Sequence, residues 1–199
     1  MKTTLLSFHG KQEIKNQKVN QLELHYQADE IIQGTYWQNG KGCAVGCTVH
    51  SSKHKAYETE MGIPMILARL EDKIFEGLPN NKAKEFPLRF IKAIPIGVDL
   101  SNVWRKFMIW LLIDEKEGVI QYAKTEKSKK AIQDISDAFS VSLTQVVPYE
   151  KWIKLRKDSA AYAAVDSAAA DAAYAAVDAA ESNKYIKMSQ KLLQLLSEA

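Results

Sequence analysis

Apolar residues recur at helical spacing along most of this chain, whereas the alternation typical of strands appears in two short stretches. These stretches are AVGCTVH, residues 44–50, and GVIQYAK, residues 118–124. Elsewhere, apolar positions three or four residues apart predict amphipathic helices. We therefore expect a mainly α fold, arranged as a single-domain helical bundle over residues 1–199.

Glycine and proline mark the expected ends of the first helices. One helix should run from about Lys11 to Gln33, where the loop GTYWQNGKG ends it. Pro64 lies where a first helical residue is favoured, and Gly77 lies where a helix commonly ends. A second well-bounded helix is therefore expected between these two residues.

The middle of the chain contains several prolines and then its most apolar stretch. An interior proline loses a helical hydrogen bond, so short helical pieces are expected around Pro79, Pro87 and Pro95. The stretch DLSNVWRKFMIWLLID follows, apolar on nearly all sides, as expected of a buried helix capped by Asp99. Its predicted core residues are Trp104, Phe107, Trp110 and Leu111.

Residues 148–199 are expected to form a long, alanine-rich C-terminal helix after a body of residues 1–147. The sequence AAYAAVD occurs at residues 160–166 and again at 172–178. Alanine is the best helix former, and its small side chain lets another helix approach closely. We expect a structural helix, rather than a partner-binding arm, whose docked end carries Ile186, Leu192, Leu193 and Leu196.

Composition and charge narrow the class of protein. Of 199 residues, 46% are hydrophobic and 26% charged, which is typical of a folded globular protein. The net charge is +3, but the lysines are scattered, so nucleic-acid binding is not favoured. The stretch Phe107 to Ile113 is far shorter than the roughly 18 apolar residues of a membrane span. With no export signal apparent in MKTTLLSFHGKQ, a cytoplasmic location without a membrane partner is predicted.

The segment GCAVGCTVHSSKHKAYE concentrates the residues best suited to chemistry. If Cys43 to Met61 is one helix, five such side chains share a stripe about 80° wide. They are Cys43, Cys47, His50, His54 and Glu58. Gly46 and the β-branched residues weaken such a helix, and Ser52 could instead cap a new helix that starts at Lys53. In that case the stripe would break in two.

One interpretation of the segment is thiol catalysis. The candidate catalytic residues are Cys43, Cys47 and His50. A helix N-terminus beside Lys41 would stabilise the Cys43 thiolate, and His25 or His9 could act as its base.

A second interpretation is a metal site for zinc or another divalent ion. Four ligands along three helical turns would span roughly 16 Å, too far for one ion. The more credible ligand set is His50, His54 and Glu58, completed by Glu71 or Glu76 from the following helix. No cofactor is certain from the sequence.

Two further interpretations need neither thiolate nor metal. In the first, the cysteines are small buried hydrophobes around Trp37, the histidines are ordinary hydrogen-bonded residues, and Glu58 caps a helix or pairs with a lysine. In the second, a pocket holds a planar or anionic molecule by stacking and charge. Its ligand-binding residues would be Tyr36, Trp37, Lys41, His50 and His54.

Several motifs resemble a family of uncharacterised proteins from bacteriophages, prophages and bacterial genomes. They are LLSFHG, ADEIIQGTYW, GKGCAVGC with a histidine three residues on, LARLEDKIFEGLP and the alanine-rich tail. The resemblance implies a small soluble accessory protein and transfers no catalytic residues. The leading hypothesis is binding of a small anionic ligand or a host protein through a pocket lined by Lys, Cys and His. The alternative is a metal- or cysteine-dependent, hydrolase-like enzyme that uses the same segment.

Overall fold

A computed structural model describes residues 5–158 and 178–199, without the side chains of residues 178–182. Helices dominate these residues, so the prediction of a mainly α fold is confirmed. The two AAYAAVD sequences, apart from the backbone of Asp178, lie outside the described residues, and so does the expected packing of that helical stretch.

The helices and strands of the described residues are short to medium in length. The α-helices are α1 (Gln12–Gln27), α2 (Ala44–Val49), α3 (Ala56–Met61), α4 (Met65–Gly77), α5 (Asn80–Ala93), α6 (Val103–Ile113), α7 (Glu126–Ser142), α8 (described over 149–158) and α9 (Asp178–Ser197). Single 3-10 turns occupy Ser7–Gly10 and Val119–Tyr122, and a hairpin joins β1 (Trp37–Gln38) to β2 (Lys41–Gly42). Both stretches with strand-like alternation are therefore helical.

The chain divides into two compact units, Met1–Trp104 with Tyr185–Ala199, and Arg105–Lys184. In the second unit, Phe139 of α7 packs against Trp152 of α8 with ring centroids 4.9 Å apart. The first unit contains every candidate site residue named above. The assignment of residues 1–199 to one domain, with its division at residue 148, stays a prediction.

The core predicted for the apolar stretch around α6 is only partly correct. Phe107 is fully buried, whereas Trp104, Trp110 and Leu111 are partly exposed. Asp99 accepts a hydrogen bond from the Ser101 amide at 2.8 Å, in the turn before α6. An all-round apolar helix is expected to be central, but the two indoles and Leu111 bury only part of their surface.

Helix α1 ends at Gln27, well before the predicted end near Gln33. Asp29 adopts a left-handed backbone with φ 56°, which is incompatible with a continuing helix. The chain then runs extended beside β2, where the Ile32 amide donates to the Gly42 carbonyl at 2.8 Å. Pairing with β2 thus uses residues that helical spacing had assigned to α1.

The hairpin turns at Asn39 and Gly40, both of which have positive φ. A two-residue loop in which both residues have positive φ forms a type I′ turn, which matches the twist of antiparallel strands. Asn-Gly is the strongest sequence signal for this turn. The register pairs Trp37 with Gly42 and Gln38 with Lys41. The loop predicted here is therefore a defined hairpin that fixes Trp37 opposite Gly42.

The continuous helix predicted from Cys43 to Met61 is wrong. Helix α2 ends at His50, which has a left-handed backbone with φ 50°, and α3 begins only at Ala56. The alternative break in the segment is confirmed, but Lys55 rather than Ser52 precedes the new helix. All six residues of α2 are buried. The five side chains of the predicted stripe therefore do not lie along one helix.

Side chains of α1 satisfy the buried C-terminal carbonyls of α2. Lys18 Nζ donates to the Thr48 carbonyl at 2.9 Å, and Gln21 Nε2 donates to the carbonyls of Cys47 and Thr48 at 2.6 and 2.9 Å. Lys18 also pairs with Glu60 at 2.6 Å. A buried carbonyl without a donor would cost about 1–3 kcal/mol, so these bonds hold the short helix in place.

Helix α4 has the ends that the sequence predicted, with Pro64 immediately before its first residue and Gly77 as its last. The side-chain amide of Gln33 binds the carbonyls at the end of α4 and just beyond it. Its Nε2 donates to the backbone carbonyl oxygens of Phe75, Glu76 and Leu78 at 2.8, 3.1 and 3.0 Å.

Helix α5 continues through Pro87, so the prediction of short pieces there is wrong. Pro87 is buried together with Phe86 and Phe90 on the inner face, and this burial outweighs the lost hydrogen bond. Lys15 of α1 donates to the Ile94 carbonyl at 2.6 Å just beyond the end of α5.

The docked end predicted for the C-terminal helix is confirmed within the first unit, although the buried set differs. Leu192 and Leu196 are fully buried, whereas Ile186 and Leu193 are partly exposed. Gly77 lies against the Tyr185 ring, which leaves no room for a side chain there.

Gly46 offers a direct test of packing inside α2. A Cβ at Gly46 would overlap the Tyr36 carbonyl oxygen, which is backbone and cannot rotate away. We expect Gly46→Ala to lower the free energy of unfolding by about 3 kcal/mol, measured by urea denaturation. Gly10→Ala is the comparison, because Gly10 has positive φ but no atom within 4 Å of its Cβ position, and a cost of about 1 kcal/mol is expected. Equal losses would contradict the steric explanation.

Candidate functional site

The candidate residues form two clusters in the first unit. Adjacent residues of the hairpin supply one aromatic ring to each, because the Tyr36 ring meets His54 and the Trp37 ring meets His50. The Asp72 cluster consists of Tyr36, Cys43, His54, Asp72 and Glu76. The histidine-pair cluster consists of His25, Glu30, Trp37 and His50. The ligand-binding set predicted from the sequence is thus divided between the two.

Helices α2 and α4 bring the ligand atoms of the Asp72 cluster together. Cys43 immediately precedes α2, while Asp72 and Glu76 lie one turn apart on α4. The Cys43 sulfur and one oxygen from each carboxylate all lie within 4.8 Å of one another. His54 adds its Nε2 at 3.4 Å from Asp72 Oδ2. The cluster therefore combines thiol, carboxylate and imidazole groups.

Negative charge accumulates in the Asp72 cluster. The Asp72 carboxylate is the main cause of a raised pKa at Tyr36. Burial, and then the charge of Asp72, raises the pKa of Glu76, although the Gly34 amide donates to Glu76 Oε2 at 2.9 Å and opposes the rise. Within the described residues, neither Asp72 nor Glu76 forms an ion pair with Lys or Arg.

Two oxygen atoms in and beside the cluster lack a hydrogen-bond partner. They are Asp72 Oδ1 and Glu71 Oε1, both buried atoms among the described residues. Native proteins pair most buried polar atoms, so such exceptions call for a physical reason. Asp72 Oδ1 is therefore an oxygen that could bind a cation.

Glu71 lies behind the cluster in a fully buried pair with Tyr57. The Tyr57 hydroxyl donates to Glu71 Oε2 at 2.7 Å. Burial raises the pKa of the Glu71 carboxyl well above its usual range, the bond from Tyr57 opposes the rise, and Asp72 adds to it. We therefore take Glu71 as a neutral acid in the folded protein.

The histidine-pair cluster is a chain of hydrogen bonds along one edge of α1. Glu30 Oε2 lies 2.6 Å from His25 Nδ1, and His25 Nε2 lies 2.8 Å from His50 Nε2. The His50 ring stacks on Trp37, with centroids 4.5 Å apart and planes 15° apart. Burial, and then the neighbouring His25 and Lys18 side chains, lowers the pKa of His50.

Neither thiol has the properties expected of a nucleophile. Cys43 and Cys47 are both fully buried. Burial raises the pKa of Cys43 far above its usual range, even though nearby amides of α2 favour the thiolate, and it raises the pKa of Cys47 to about 12. The expected stabilisation of the Cys43 thiolate is therefore wrong, because desolvation exceeds the effect of the amides.

The base proposed for a thiol is also engaged elsewhere. His25 Nε2 contacts His50, and His9 Nε2 contacts the Thr59 carbonyl at 3.2 Å. Cys47 Sγ instead donates to the Gly42 carbonyl at 3.3 Å.

Two further candidates lie outside both clusters. Lys41 is exposed in β2. Glu58 Oε1 accepts from the Met65 amide at 3.0 Å at the start of α4, the capping role considered for it. The set His50, His54 and Glu58 is consequently not gathered around one point. A shallow groove of about 550 Å³ lies elsewhere, lined by Tyr26, Asn80, Asn81, Lys84 and Glu85.

Sequence reasoning missed Asp72 and Glu30. Asp72 and Glu76 are spaced i, i+4 on a well-predicted helix, which places both carboxylates on one face, so this pair could have been found. Glu30 had no such signal, because the early end of α1 determines that it meets His25.

No family model matches this chain, and neither a curated protein nor a solved structure shows significant similarity to it. The resemblance to phage and prophage proteins, and the binding of an anionic ligand or host protein, stay predictions. No helix among residues 5–158 and 178–199 has the length and apolar character needed to cross a bilayer.

The burial of both thiols predicts slow chemical modification. At pH 7.4, a thiol of pKa about 12, such as Cys47, is ionised to a fraction on the order of 10⁻⁵. With chelator present, the folded protein should react with a disulfide reagent at least about 100-fold more slowly than the protein unfolded in guanidinium. Cys43→Ser and Cys47→Ser variants assign each reaction to its thiol. Rapid stoichiometric labelling of either residue in the folded state would contradict this expectation.

Glu71 predicts a specific dependence of stability on pH. Its pKa is higher in the folded than in the unfolded protein, so folding favours the protonated form, and stability falls as pH rises above the unfolded value of about 4.3. Glu71→Gln keeps an oxygen that accepts the Tyr57 hydrogen bond, and it removes the loss of stability with rising pH. Its free energy of unfolding should rise relative to the parent by up to about 1.4 kcal/mol per pH unit as the pH increases above the unfolded pKa, until the folded pKa is reached.

Urea denaturation at several pH values, with chelator present, measures this difference. Glu85→Gln, on the exposed surface of α5, is the control and should follow the parent. Parallel pH profiles for Glu71→Gln and the parent would show that Glu71 is ionised in the folded state.

Proposed function

We propose that this protein binds a divalent metal ion at the Asp72 cluster and that zinc is the ion best matched to its ligands. The observation that carries the proposal is the approach of the Cys43 sulfur, an Asp72 oxygen and a Glu76 oxygen to within 4.8 Å of one another. His54, 3.4 Å from Asp72, is the candidate fourth ligand. Thiolate, carboxylate and imidazole are the groups that zinc commonly accepts.

The separations suit one ion after a small contraction. Zinc binds sulfur at about 2.3 Å and nitrogen or oxygen at about 2.0–2.2 Å, so tetrahedral ligands lie about 3.3–3.7 Å apart. The upper limit of 4.8 Å therefore requires movements of no more than about 1.5 Å. Calcium and magnesium fit less well, because hard cations prefer an all-oxygen set.

Charge supports the same proposal. Repulsion from Asp72 is the main cause of the raised pKa of Tyr36 and, after burial, contributes to the raised pKa of Glu76, and one buried Asp72 oxygen has no hydrogen-bond donor. A cation between Cys43, Asp72 and Glu76 would relieve this repulsion and occupy the unpartnered oxygen. Exposed acidic groups often gather without a metal, but here the cysteine is fully buried.

The surroundings favour a metal that can also accept an external ligand. Glu76 is exposed, and Tyr36 exposes half of its surface beside the cluster. Where His54 keeps its contact with Asp72 instead of binding the ion, the fourth coordination position would face solvent, where zinc binds water or an anionic group. The proposal takes up the divalent metal that was one possibility from the sequence, replaces His50 and Glu58 as ligands, and gives the predicted small anionic ligand a direct partner.

Calorimetric titration of the chelator-treated protein with zinc chloride tests the proposal. We expect one equivalent to bind, and we expect Asp72→Asn and Cys43→Ser each to weaken binding at least tenfold, because each removes a direct ligand. Cobalt(II) substitution provides a second measurement, since the Cys43 thiolate should produce an intense charge-transfer band in the near ultraviolet.

Cys47→Ser is the matched control, because Cys47 is an equally buried thiol outside the cluster. It should retain both zinc affinity and the cobalt band. The proposal fails if Asp72→Asn binds zinc as tightly as the parent, or if the cobalt band survives in Cys43→Ser and is lost in Cys47→Ser.

A further inference from the structure

We infer that the histidine-pair cluster is a second, independent metal site, selective for a tetragonal divalent ion such as Ni²⁺ or Cu²⁺ and held by Nε2 of His25 and Nε2 of His50. These atoms lie 2.8 Å apart with their ring planes at 86°. Two nitrogen ligands in neighbouring positions of a square-planar or octahedral ion, each about 2.0–2.1 Å away, are about 2.9 Å apart. A tetrahedral zinc ion would need about 3.3 Å.

The surroundings hold the His25 ring in the orientation that a ligand needs. Glu30 accepts from Nδ1 at 2.6 Å, so the proton lies on Nδ1 and the Nε2 lone pair faces His50. A carboxylate behind a ligating imidazole is the usual support in metal sites, because it fixes the tautomer and increases basicity. Trp37 packs edge-on against the same ring, with centroids 5.5 Å apart.

The backbone and one aromatic ring hold His50. Its left-handed conformation ends α2, with its amide bonded to the Gly46 carbonyl at 2.8 Å. Its ring stacks on Trp37 at 4.5 Å. Because His50 is exposed, an ion bound here keeps positions open to water or to a group from another molecule. Binding through Nε2 moves the proton shared by the two nitrogens to Nδ1 of His50, so that both imidazoles stay neutral and both Nε2 lone pairs are available to the ion.

The local charge also accommodates a cation. The groups that act on His50 besides His25 are Lys18, Glu30 and Glu60. Lys18 is already paired with Glu60 at 2.6 Å. One carboxylate, Glu30, therefore remains to balance the charge of the ion.

Titration with nickel chloride, followed by tryptophan fluorescence, tests this inference. The test uses the double variant Cys43→Ser/Asp72→Asn as its starting protein, because this variant lacks two of the ligands proposed for the Asp72 cluster. The result for the histidine pair is therefore independent of the result for the proposed function. We expect saturable quenching at one equivalent, because Trp37 touches both histidines. His25→Gln and His50→Gln should each weaken Ni²⁺ binding at least tenfold, and zinc should bind more weakly than nickel.

His9→Gln is the matched control, because His9 lies outside the cluster and contacts the Thr59 carbonyl, and it should bind Ni²⁺ as the starting protein does. If circular dichroism shows that either histidine variant is unfolded, Glu30→Gln replaces it, with an expected tenfold loss of affinity through the lost support of His25. Unchanged Ni²⁺ affinity in the folded variants overturns the inference. Equal losses in His9→Gln would also overturn it, because binding would then be nonspecific.

Discussion

The structure of the first unit depends on capping the buried end of α2. Six residues of this helix are buried, so its last carbonyls cannot reach water and must find donors within the protein. Lys18 and Gln21 of α1 provide these donors. Lys15, on the same helix, donates to the Ile94 carbonyl just beyond the end of α5. One helix that is largely polar thus secures the ends of two others. Its hydrogen bonds explain why a segment with few buried residues is central to the fold.

The ends of α2 also determine where the chemistry lies. Cys43 precedes the helix and reaches the carboxylates of α4, while His50 ends it and reaches His25 of α1. Because α2 is so short, these two residues belong to different clusters. The two clusters therefore offer different side chains, one a thiol with carboxylates and the other two imidazoles.

Helical spacing was sufficient for the fold class and for α4, whose ends carry Pro64 and Gly77. It failed where distant pairing or burial decided the outcome. Helix α1 ends early because the residues that follow it pair with Gly42. Helix α5 continues through Pro87 because its inner face is buried. The Cys/His segment could be singled out from its residue types, but the split at His50 depends on one left-handed residue. No periodicity reports such a residue.

Adjacent residues of the hairpin carry a consequence for the two clusters together. Tyr36 and Trp37 are neighbours in the chain, yet their rings contact His54 and His50 respectively. If both proposed sites bind metal ions and one ion displaces this short stretch, the energy of occupancy at the other site would change. Thermodynamic linkage would make that influence mutual and equal in size.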